Sequence, residues 1–264
     1  MILDRIIFYF RKKIISSLGI RILTFFNKNR GYFKINGIKM FLDFLDPIDR
    51  EIIINQEYEK KEISLLIKLI KNHNIKYFVD IGANCGIYSF VISSNLKNLK
   101  TFAFEPNNEA FYKLKRTIEA NNNIFKDIKI FNFGLSNKKS KLKMRSLEKH
   151  GYLQTGGSTV VDKNININDH IYEADFDIGD HNINLKKSNI AIKVDVEGHE
   201  LNVLLGLKRT LMENNCILQI ETFDKIFVQT NNFLIKHNFE MIFENKSNIK
   251  NSYTNYFYSN FKIS

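Results

Sequence analysis

The stretch that decides the fold is Tyr77-Phe-Val-Asp80-Ile-Gly82-Ala-Asn84-Cys-Gly86, an apolar run that ends in an acid and a glycine-rich turn. Helical periodicity follows directly over residues 87–95, which makes a strand, a turn and a helix in succession. Gly82 and Gly86 allow the backbone to turn tightly and to approach a ligand, because they carry no Cβ. Their Gly-x-x-x-Gly spacing differs from the Gly-x-Gly-x-x-Gly of nicotinamide enzymes. The stretch predicts a ligand-binding turn at the end of a strand, with an ordinary tight βα turn as the alternative.

Outward from this turn, strand-like runs alternate with helical stretches. The strand-like runs are Lys76–Ile81, Thr101–Phe104, Ile128–Phe133, Ile190–Val194 and Ile217–Ile220, and the helical stretches are 87–95, 108–121, 199–213 and 225–237. This alternation predicts βαβ units and a mostly parallel sheet. The last two runs, Phe239–Phe243 and Tyr253–Phe261, have no clear helix between them. We therefore expect a doubly wound α/β sheet of seven strands that ends in an antiparallel C-terminal hairpin.

Two segments precede the alternating region. Residues 1–31 hold seven basic side chains against one acid, and their apolar residues recur at helical spacing, which predicts a basic amphipathic extension. Residues 32–75 begin with a hairpin signal at Asn36-Gly37 and continue into a predicted helix from Glu57 to about Lys71. We expect this second segment to pack on the domain formed by residues 76–264. Within that domain, the interval 135–189 is too long for a plain connection, and such insertions are often functional.

Composition limits the partners without selecting one. The net charge of +11 permits nucleic acid, an anionic membrane surface or an acidic substrate. The two cysteines, Cys85 and Cys216, are far apart, which argues against a disulfide framework or a zinc site and favours a reducing cytoplasm. The sequence has no apolar run of the ~20 residues that a membrane span needs. We expect a cytoplasmic protein whose residues 1–31 dock on the domain or on a second subunit, or touch the inner face of the membrane.

A second acid marks the end of the next strand. Glu105 lies nineteen residues beyond Gly86, directly after the run Thr101–Phe104, and Pro106 fixes the following turn. An acid at this distance from a glycine turn is placed to hydrogen-bond both hydroxyls of a ribose. A carboxylate there disfavours a 2′-phosphate, so the pattern predicts an adenosine-containing cofactor.

A third group of polar residues follows the fourth strand of the pattern. Three acids and a histidine fall within Asp195-Val-Glu-Gly-His-Glu200, which indicates proton handling or metal binding. Asp195 and Glu197 are the candidate catalytic bases, with His199 and Glu221 as further candidates. Glu200 serves equally well as a charge on the first turn of the next helix. Since we find no second and third oxygen ligand at a convincing spacing from Asp195, we expect no metal.

Together these segments resemble the FkbM family of methyltransferases from about residue 32 to the end. The matching residues are Tyr58-Glu59, Val79-Asp-Ile-Gly-Ala-Asn-Cys-Gly86, Phe104-Glu-Pro-Asn107, Gly134-Leu-Ser136, Gly157-Ser-Thr159 and Lys193-Val-Asp-Val-Glu-Gly198. The resemblance implies the Rossmann-like methyltransferase sheet, S-adenosylmethionine as cofactor, and methyl transfer to oxygen, frequently on sugars. Residues 1–31 have no counterpart in the family pattern, and 160–189 is looser than the acidic helix that the family usually has there.

The resemblance also assigns cofactor-binding residues. It implies that the methionine part is held by the turn after the first strand of the pattern, that is by Asp80, Gly82, Ala83, Asn84 and Gly86. Glu105, with Pro106 after it, would bind the ribose. The segment that ends in Ser136 would lie beside the adenine.

From residues and resemblance we expect an S-adenosylmethionine-dependent O-methyltransferase that acts on a hydroxyl of a sugar or surface-glycan precursor in polysaccharide biosynthesis. The positive net charge raises a nucleic-acid methyltransferase as an alternative. Enzymes that methylate base amino groups usually share an Asn- or Asp-Pro-Pro-Tyr run, whereas this chain has Asp195-Val-Glu-Gly and only two prolines, so we do not expect nucleic acid as partner. The other alternative is a membrane-associated scaffold with an inactive methyltransferase fold.

Overall fold

The computed structural model describes residues 29–149, 152–161, 169–245 and 253–263. The predicted basic amphipathic extension, residues 1–31, therefore lies almost wholly outside the described residues and stays a prediction. In the described residues, no helix is both long enough and apolar enough to cross a membrane.

The described residues form fourteen strands and eight helices. The strands are β1 (Arg30–Ile35), β2 (Ile38–Asp43), β3 (Tyr77–Ile81), β4 (Lys100–Phe104), β5 (Ile128–Phe131), β6 (Gly134–Ser136), β7 (Ser140–Lys149), β8 (Tyr152–Leu153), β9 (Thr159–Val160), β10 (Asp169–Ile178), β11 (Asn189–Val194), β12 (Asn215–Thr222), β13 (Glu240–Asn245) and β14 (Thr254–Ser259). The helices are α1 (Pro47–Asn55), α2 (Lys60–Asn72), α3 (Ile87–Asn95), α4 (Asn108–Ala120), α5 (Gly179–Asn182), α6 (Glu200–Gly206), α7 (Lys208–Glu213) and α8 (Asp224–Lys236).

The main sheet confirms the predicted doubly wound fold. Its seven strands stand in the order β13-β14-β12-β11-β3-β4-β5, and β14 pairs antiparallel with both of its neighbours. Side chains alternate between the two faces of a strand. In β3, Phe78 accordingly belongs to the core under α2, α3 and α4, whereas Val79 and Ile81 belong to the core under α6, α7 and α8. Both faces of the sheet are therefore covered by helices.

Three features differ from the predicted elements. The predicted helix over 199–213 is divided into α6 and α7, and its Gly206 lies so close to β6 that a Cβ would be 1.9 Å from the Ser136 carbonyl oxygen. Helix α1 was not predicted, although the Asp46 side chain accepts the Ile48 N–H and Pro47 begins the helix, as is common at helix N-termini. The hairpin begins at Arg30, two residues before the predicted start.

The interval 135–189 builds much of a second sheet, which was not predicted. This sheet has the order β6-β10-β7-β8, with β9 also paired to β7. Its inward side chains form a small apolar cluster with Met144, Ala174 and Phe176 as the buried members. The other face of β7 carries exposed lysines, so the strand reads as polar in the sequence.

The N-terminal hairpin lies on the same side of the main sheet as α4. Apolar residues of β1 and β2, among them Ile35 and Met40, are fully buried in the core that contains α2 and α3. The backbone N–H of Phe41 donates to the Thr117 hydroxyl of α4 at 2.9 Å, and Lys39 exchanges hydrogen bonds with the Asn121 side chain. The hairpin is thereby fixed against the helix that follows Glu105. The boundaries at residues 31 and 75 remain predictions.

Candidate active site

A cleft opens at the carboxyl ends of the parallel strands, where ligands bind in open α/β sheets. Six of the ten predicted site residues line it: Gly82, Asn84, Glu105, Pro106, Asp195 and Glu197. The other four, Asp80, Ala83, Gly86 and Ser136, do not belong to its lining. Of the predicted adenine-side segment, Gly134 and Leu135 line the cleft instead.

Asp80 and the two glycines of the turn serve the protein's own packing. Asp80 is fully buried, and its Oδ2 accepts hydrogen bonds from the backbone N–H and the hydroxyl of Ser89 in α3. Gly82 and Gly86 have φ of +80° and +87°. A Cβ on Gly82 would lie 1.8 Å from the carbonyl oxygen of Asp195, and one on Gly86 would lie 2.5 Å from the ring of Phe90. The lack of a Cβ on these two glycines therefore lets the turn pack closely against Asp195 and α3, and Gly82 also lines the cleft.

Glu105 is positioned by two backbone amides at the wall of the cleft. Its Oε2 accepts the Asn84 N–H and its Oε1 accepts the Asn107 N–H, each at 2.8 Å. Burial raises the pKa of the Glu105 carboxyl to about 7, because the two amide hydrogen bonds do not offset the loss of hydration. The carboxylate thus joins the glycine turn to the start of α4.

One end of the cleft is lined by acids from two neighbouring strands. Asp195 and Glu197 follow β11, and Glu221 lies in β12, whose Ile220 pairs with Val194. Burial raises the pKa of Glu221 to about 9, and the charge of Asp195 adds to this effect. The pKa of Glu197 is also raised, by burial and then by Asp195. We call Asp195, Glu197 and Glu221 the acidic end of the cleft.

A buried lysine lies behind the acidic end. The Nζ of Lys193 is 2.7 Å from Asp195 Oδ2, and the lysine side chain is 4% exposed. It also lies 4.6 Å from the ring centroid of Tyr88, whose hydroxyl donates to Glu59 at 2.5 Å. Burial alone would lower the pKa of Lys193, but the nearby carboxylates of Asp195 and Asp80 outweigh it and raise the pKa. Lys193 therefore stays charged and fixes the orientation of Asp195.

The loop that carries Glu197 is held in a strained conformation. Glu197 has φ of +51°, in the left-handed region that disfavours side chains other than glycine. Its carbonyl oxygen accepts the Thr159 hydroxyl at 2.6 Å, and its carboxylate bonds with Tyr253 and with the backbone of Gly157. Such strain persists where the surrounding contacts enforce it, as is frequent at functional sites.

His199 and Glu200 are placed differently from the acids. His199 Nδ1 lies 3.3 Å from the Asn202 side-chain amide, and its Nε2 lies 2.9 Å from the Ser136 hydroxyl. Burial lowers the pKa of His199 to about 4, which keeps the ring neutral. The ring also lines the cleft, so His199 stays a further candidate base. Glu200 accepts the N–H of Gly198 at the start of α6, in agreement with the alternative of a helix-terminal charge.

The cleft also has an apolar lining, which is built partly by the second sheet. Leu135, Met144, Val160 and Phe176 line it. The last three were missed, because their strands read as polar; the alternation of apolar and charged residues in 141–147 is the signal that was available. Tyr58 also lines the cleft, and only the family resemblance pointed to it. Among the described residues, no group of three or more His, Cys, Asp or Glu side chains is arranged to hold a metal ion.

Solved structures with a similar fold include several methyltransferases. The FkbM methyltransferase from Methylobacillus flagellatus KT is 18% identical, with a TM-score of 0.50 over 70% of this chain and 44% of that chain. M. jannaschii TYW2, solved in complex with AdoMet, is 12% identical, with a TM-score of 0.46 over 88% of this chain and 85% of that one. The B. subtilis tRNA methyltransferase TrmK is 15% identical, with a TM-score of 0.43 over 75% of this chain and 64% of that one.

At such identities the first of these likenesses shows the fold alone, and this chain spans less than half of that protein's length. No curated protein matches the sequence. The family comparison is more specific, because the model of the FkbM methyltransferase domain matches residues 80–241, well over half of the chain. The chain therefore belongs to the FkbM family of methyltransferases.

Proposed function

We propose that this protein transfers a methyl group from S-adenosylmethionine to a hydroxyl oxygen of a sugar or surface-glycan precursor. The observation that carries the proposal is the division of the cleft. Glu105 follows β4 on one side of the glycine turn after β3, Asp195 after β11 and Glu221 in β12 lie on the other side, and apolar side chains complete the lining. Family membership supports methyl transfer, while the cofactor, the acceptor and the residue roles are inferred from this geometry.

The residues of the cleft fit S-adenosylmethionine. Glu105 uses one lone pair of each carboxylate oxygen for a backbone amide, so each oxygen keeps a further lone pair for a ribose hydroxyl. Leu135, Met144 and Phe176 provide the apolar surface that an adenine ring needs. When bound, the cofactor would supply an electrophilic methyl group on a sulfonium. The backbone of Gly82 and Asn84 would hold the methionine part.

The acidic end supplies the proton acceptor that an alcohol requires. Methyl transfer depends on alignment of the acceptor oxygen with the methyl group, and an alcohol becomes a good nucleophile only as its proton is removed. We assign this task to Asp195 or Glu197. Asp195 is held in one orientation by Lys193, and burial, followed by the charge of Asp195, raises the pKa of Glu197 above its ordinary value.

Asp195 and Glu197 also argue for an acceptor that carries no negative charge near the reacting hydroxyl. A phosphate about 4 Å from an ionised carboxylate would cost about 4 kcal/mol at an effective dielectric constant of 20. Lys193 offsets only part of this repulsion, because its charge is shared among Asp195, Asp80 and Glu59. Nucleic-acid binding requires basic groups along the phosphate backbone. A neutral sugar hydroxyl therefore suits this end of the cleft better than a polynucleotide.

Calorimetric titration with S-adenosylmethionine and S-adenosylhomocysteine tests the cofactor. We expect micromolar binding that weakens strongly in Glu105→Ala. An acceptor screen with radiolabelled methyl groups would then compare neutral sugars, sugar phosphates and RNA. Absence of binding by the wild-type protein would exclude the proposed function, and methylation of RNA but of no sugar would replace the acceptor class.

A further inference from the structure

A buried ionic cluster connects α4 with helix α1 and with the segment after β8. At its centre is Lys113, which is 5% exposed. Its Nζ lies 2.7 Å from Asp49 Oδ2, 3.3 Å from Asp46 Oδ2 and 3.0 Å from the Thr155 hydroxyl. An ammonium group has three donors, and here each has an acceptor. Lys113 thus fixes three segments that are distant in sequence.

The cluster reaches the cleft through Thr155. The backbone N–H of Thr155 donates to Asp46 Oδ2 at 2.9 Å, and its hydroxyl lies 2.6 Å from the same oxygen and 3.0 Å from Asn84 Oδ1. Asn84 belongs to the glycine turn, and its backbone N–H donates to Glu105. A continuous chain of polar contacts therefore runs from Lys113 through Thr155 and Asn84 to Glu105.

Thr155 belongs to a segment that crosses the cleft, residues 154–160, which we call the strap. Five of its residues line the cleft: Thr155, Gly156, Gly157, Ser158 and Val160. Its beginning is held by the Lys113 cluster, and its later part is held by the hydrogen bond from Thr159 to the Glu197 carbonyl oxygen. Gly156 packs so tightly on α1 that a Cβ would lie 2.2 Å from Ile48. The strap therefore spans from the cofactor turn to the acidic end.

The buried charges of the cluster indicate that it orients the segments that it connects. Burial raises the pKa of Asp49 to about 6, although Lys113 opposes this effect. Asp46 shows the reverse: burial would raise its pKa, but Lys113 and Thr155 outweigh burial and lower it. Apolar residues of similar volume often stabilise a core as well as a buried ion pair does. Unlike apolar residues, the buried ions also fix the relative orientation of their segments, because the donors and acceptors have to face one another.

We propose that Lys113 is a positioning residue for the cofactor, which acts through Asp46 and Thr155 to fix the strap over the glycine turn. This inference rests on the proposed function, because it assigns S-adenosylmethionine to the cleft. Without the Lys113 cluster, Asn84 and the strap would be free to move. Binding of the cofactor would then have to order them. The affinity for the cofactor is then lower in a protein that is still folded.

The test uses Thr155→Val, which removes the hydroxyl and keeps the shape of the side chain. We expect S-adenosylmethionine to bind about tenfold more weakly, the effect of one lost positioned hydrogen bond. Thr155→Ser retains the hydroxyl and should restore binding. The matched control is Thr230→Val in α8, where the hydroxyl bonds the carbonyls of Ile226 and Phe227 in its own helix. The control should lose stability without losing affinity.

Lys113 itself is tested in the double variant Lys113→Met with Asp49→Asn, which avoids leaving two buried carboxylates without a cation. Calorimetry well below the melting temperature should show the same weakening of at least about tenfold. Affinities of Thr155→Val and the double variant within about twofold of the wild type would overturn the inference while the proposed function stands. A wild-type protein that binds no S-adenosylmethionine would overturn both.

Discussion

Replacing Gly82 with alanine should damage the site by moving Asp195. A Cβ at this position would lie 1.8 Å from the Asp195 carbonyl oxygen, and real Cβ contacts essentially never fall below 3.0 Å. The end of β11 would thus have to move away by about 1.2 Å. This movement would strain the hydrogen bond from the Asp195 N–H to the Ile81 carbonyl, which is 3.0 Å long and joins the end of β11 to β3.

Two contributions to the stability loss can be separated. The left-handed conformation costs an alanine about 1–2 kcal/mol, since φ at Gly82 is +80°. Forcing an extra methyl group into a packed interior costs about 1–3 kcal/mol more. We therefore expect Gly82→Ala to lower the free energy of unfolding by about 2–5 kcal/mol. A displacement of about 1 Å at Asp195 should also reduce turnover about 100-fold.

The control is Gly37→Ala in the N-terminal hairpin. Gly37 has φ of +87°, but nothing lies within 4 Å of the position of a Cβ, so only the conformational cost applies. Urea unfolding of both variants measures the difference, which should be about 1–3 kcal/mol. If the two variants lose the same free energy within about 0.5 kcal/mol, the contact with Asp195 does not constrain the turn, and the reasoning is refuted.

Three further expectations follow from the carboxyl groups of the cleft. Since burial raises the pKa of Glu105 to about 7, the affinity for S-adenosylmethionine should fall by up to about tenfold per pH unit below pH 7 in calorimetry, and Glu105→Gln should show no such dependence. Asp195→Asn or Glu197→Gln should lower kcat by about 10²–10⁴ with little change in cofactor affinity; near wild-type rates in both would remove the assigned base. Burial raises the pKa of Glu221 to about 9 from an ordinary 4.5, so the folded state holds a proton that the unfolded state releases. Stability from this group should therefore be present at acidic pH and be lost as the pH rises toward 9, and urea unfolding of Glu221→Gln should lack that part of the pH dependence.

The main sheet could be predicted from the sequence, because the apolar pattern of its elements agrees with their burial in the structure. Helix α3 begins at Ile87 and ends at Asn95, as the periodicity predicted, and β3 alternates between two cores. The second sheet was not predictable to the same degree, since only Met144, Ala174 and Phe176 are buried in its apolar cluster. A strand with one solvated face and few buried residues resembles a polar loop in the sequence.

The site was predictable where its residues follow strands and not where distant segments meet. Glu105, Asp195 and Glu197 follow strand ends, and the cleft brings them together. Lys113 carries no such signal, because a lysine on an amphipathic helix ordinarily faces solvent. Its partners Asp49 and Thr155 lie 64 and 42 residues away in the sequence, and no local pattern predicts a contact over such distances.

The positive net charge of the chain favours a negatively charged acceptor, whereas the acids of the cleft favour a neutral one. The cleft is more informative, because the acceptor would bind there. Residues 1–31 alone contribute seven basic side chains against one acid to the net charge of +11. The acceptor would instead meet Asp195 and Glu197 in the lining of the cleft, and a charge in contact with the acceptor acts on it more strongly than the summed charge of the chain does. S-adenosylmethionine is itself a cation at sulfur, and the acidic end would lie on the side where its methyl group leaves. An uncharged hydroxyl can enter between a sulfonium and carboxylates without adding repulsion, and it can give its proton to one of them. For that reason the acidic end is the strongest argument for a neutral glycan acceptor.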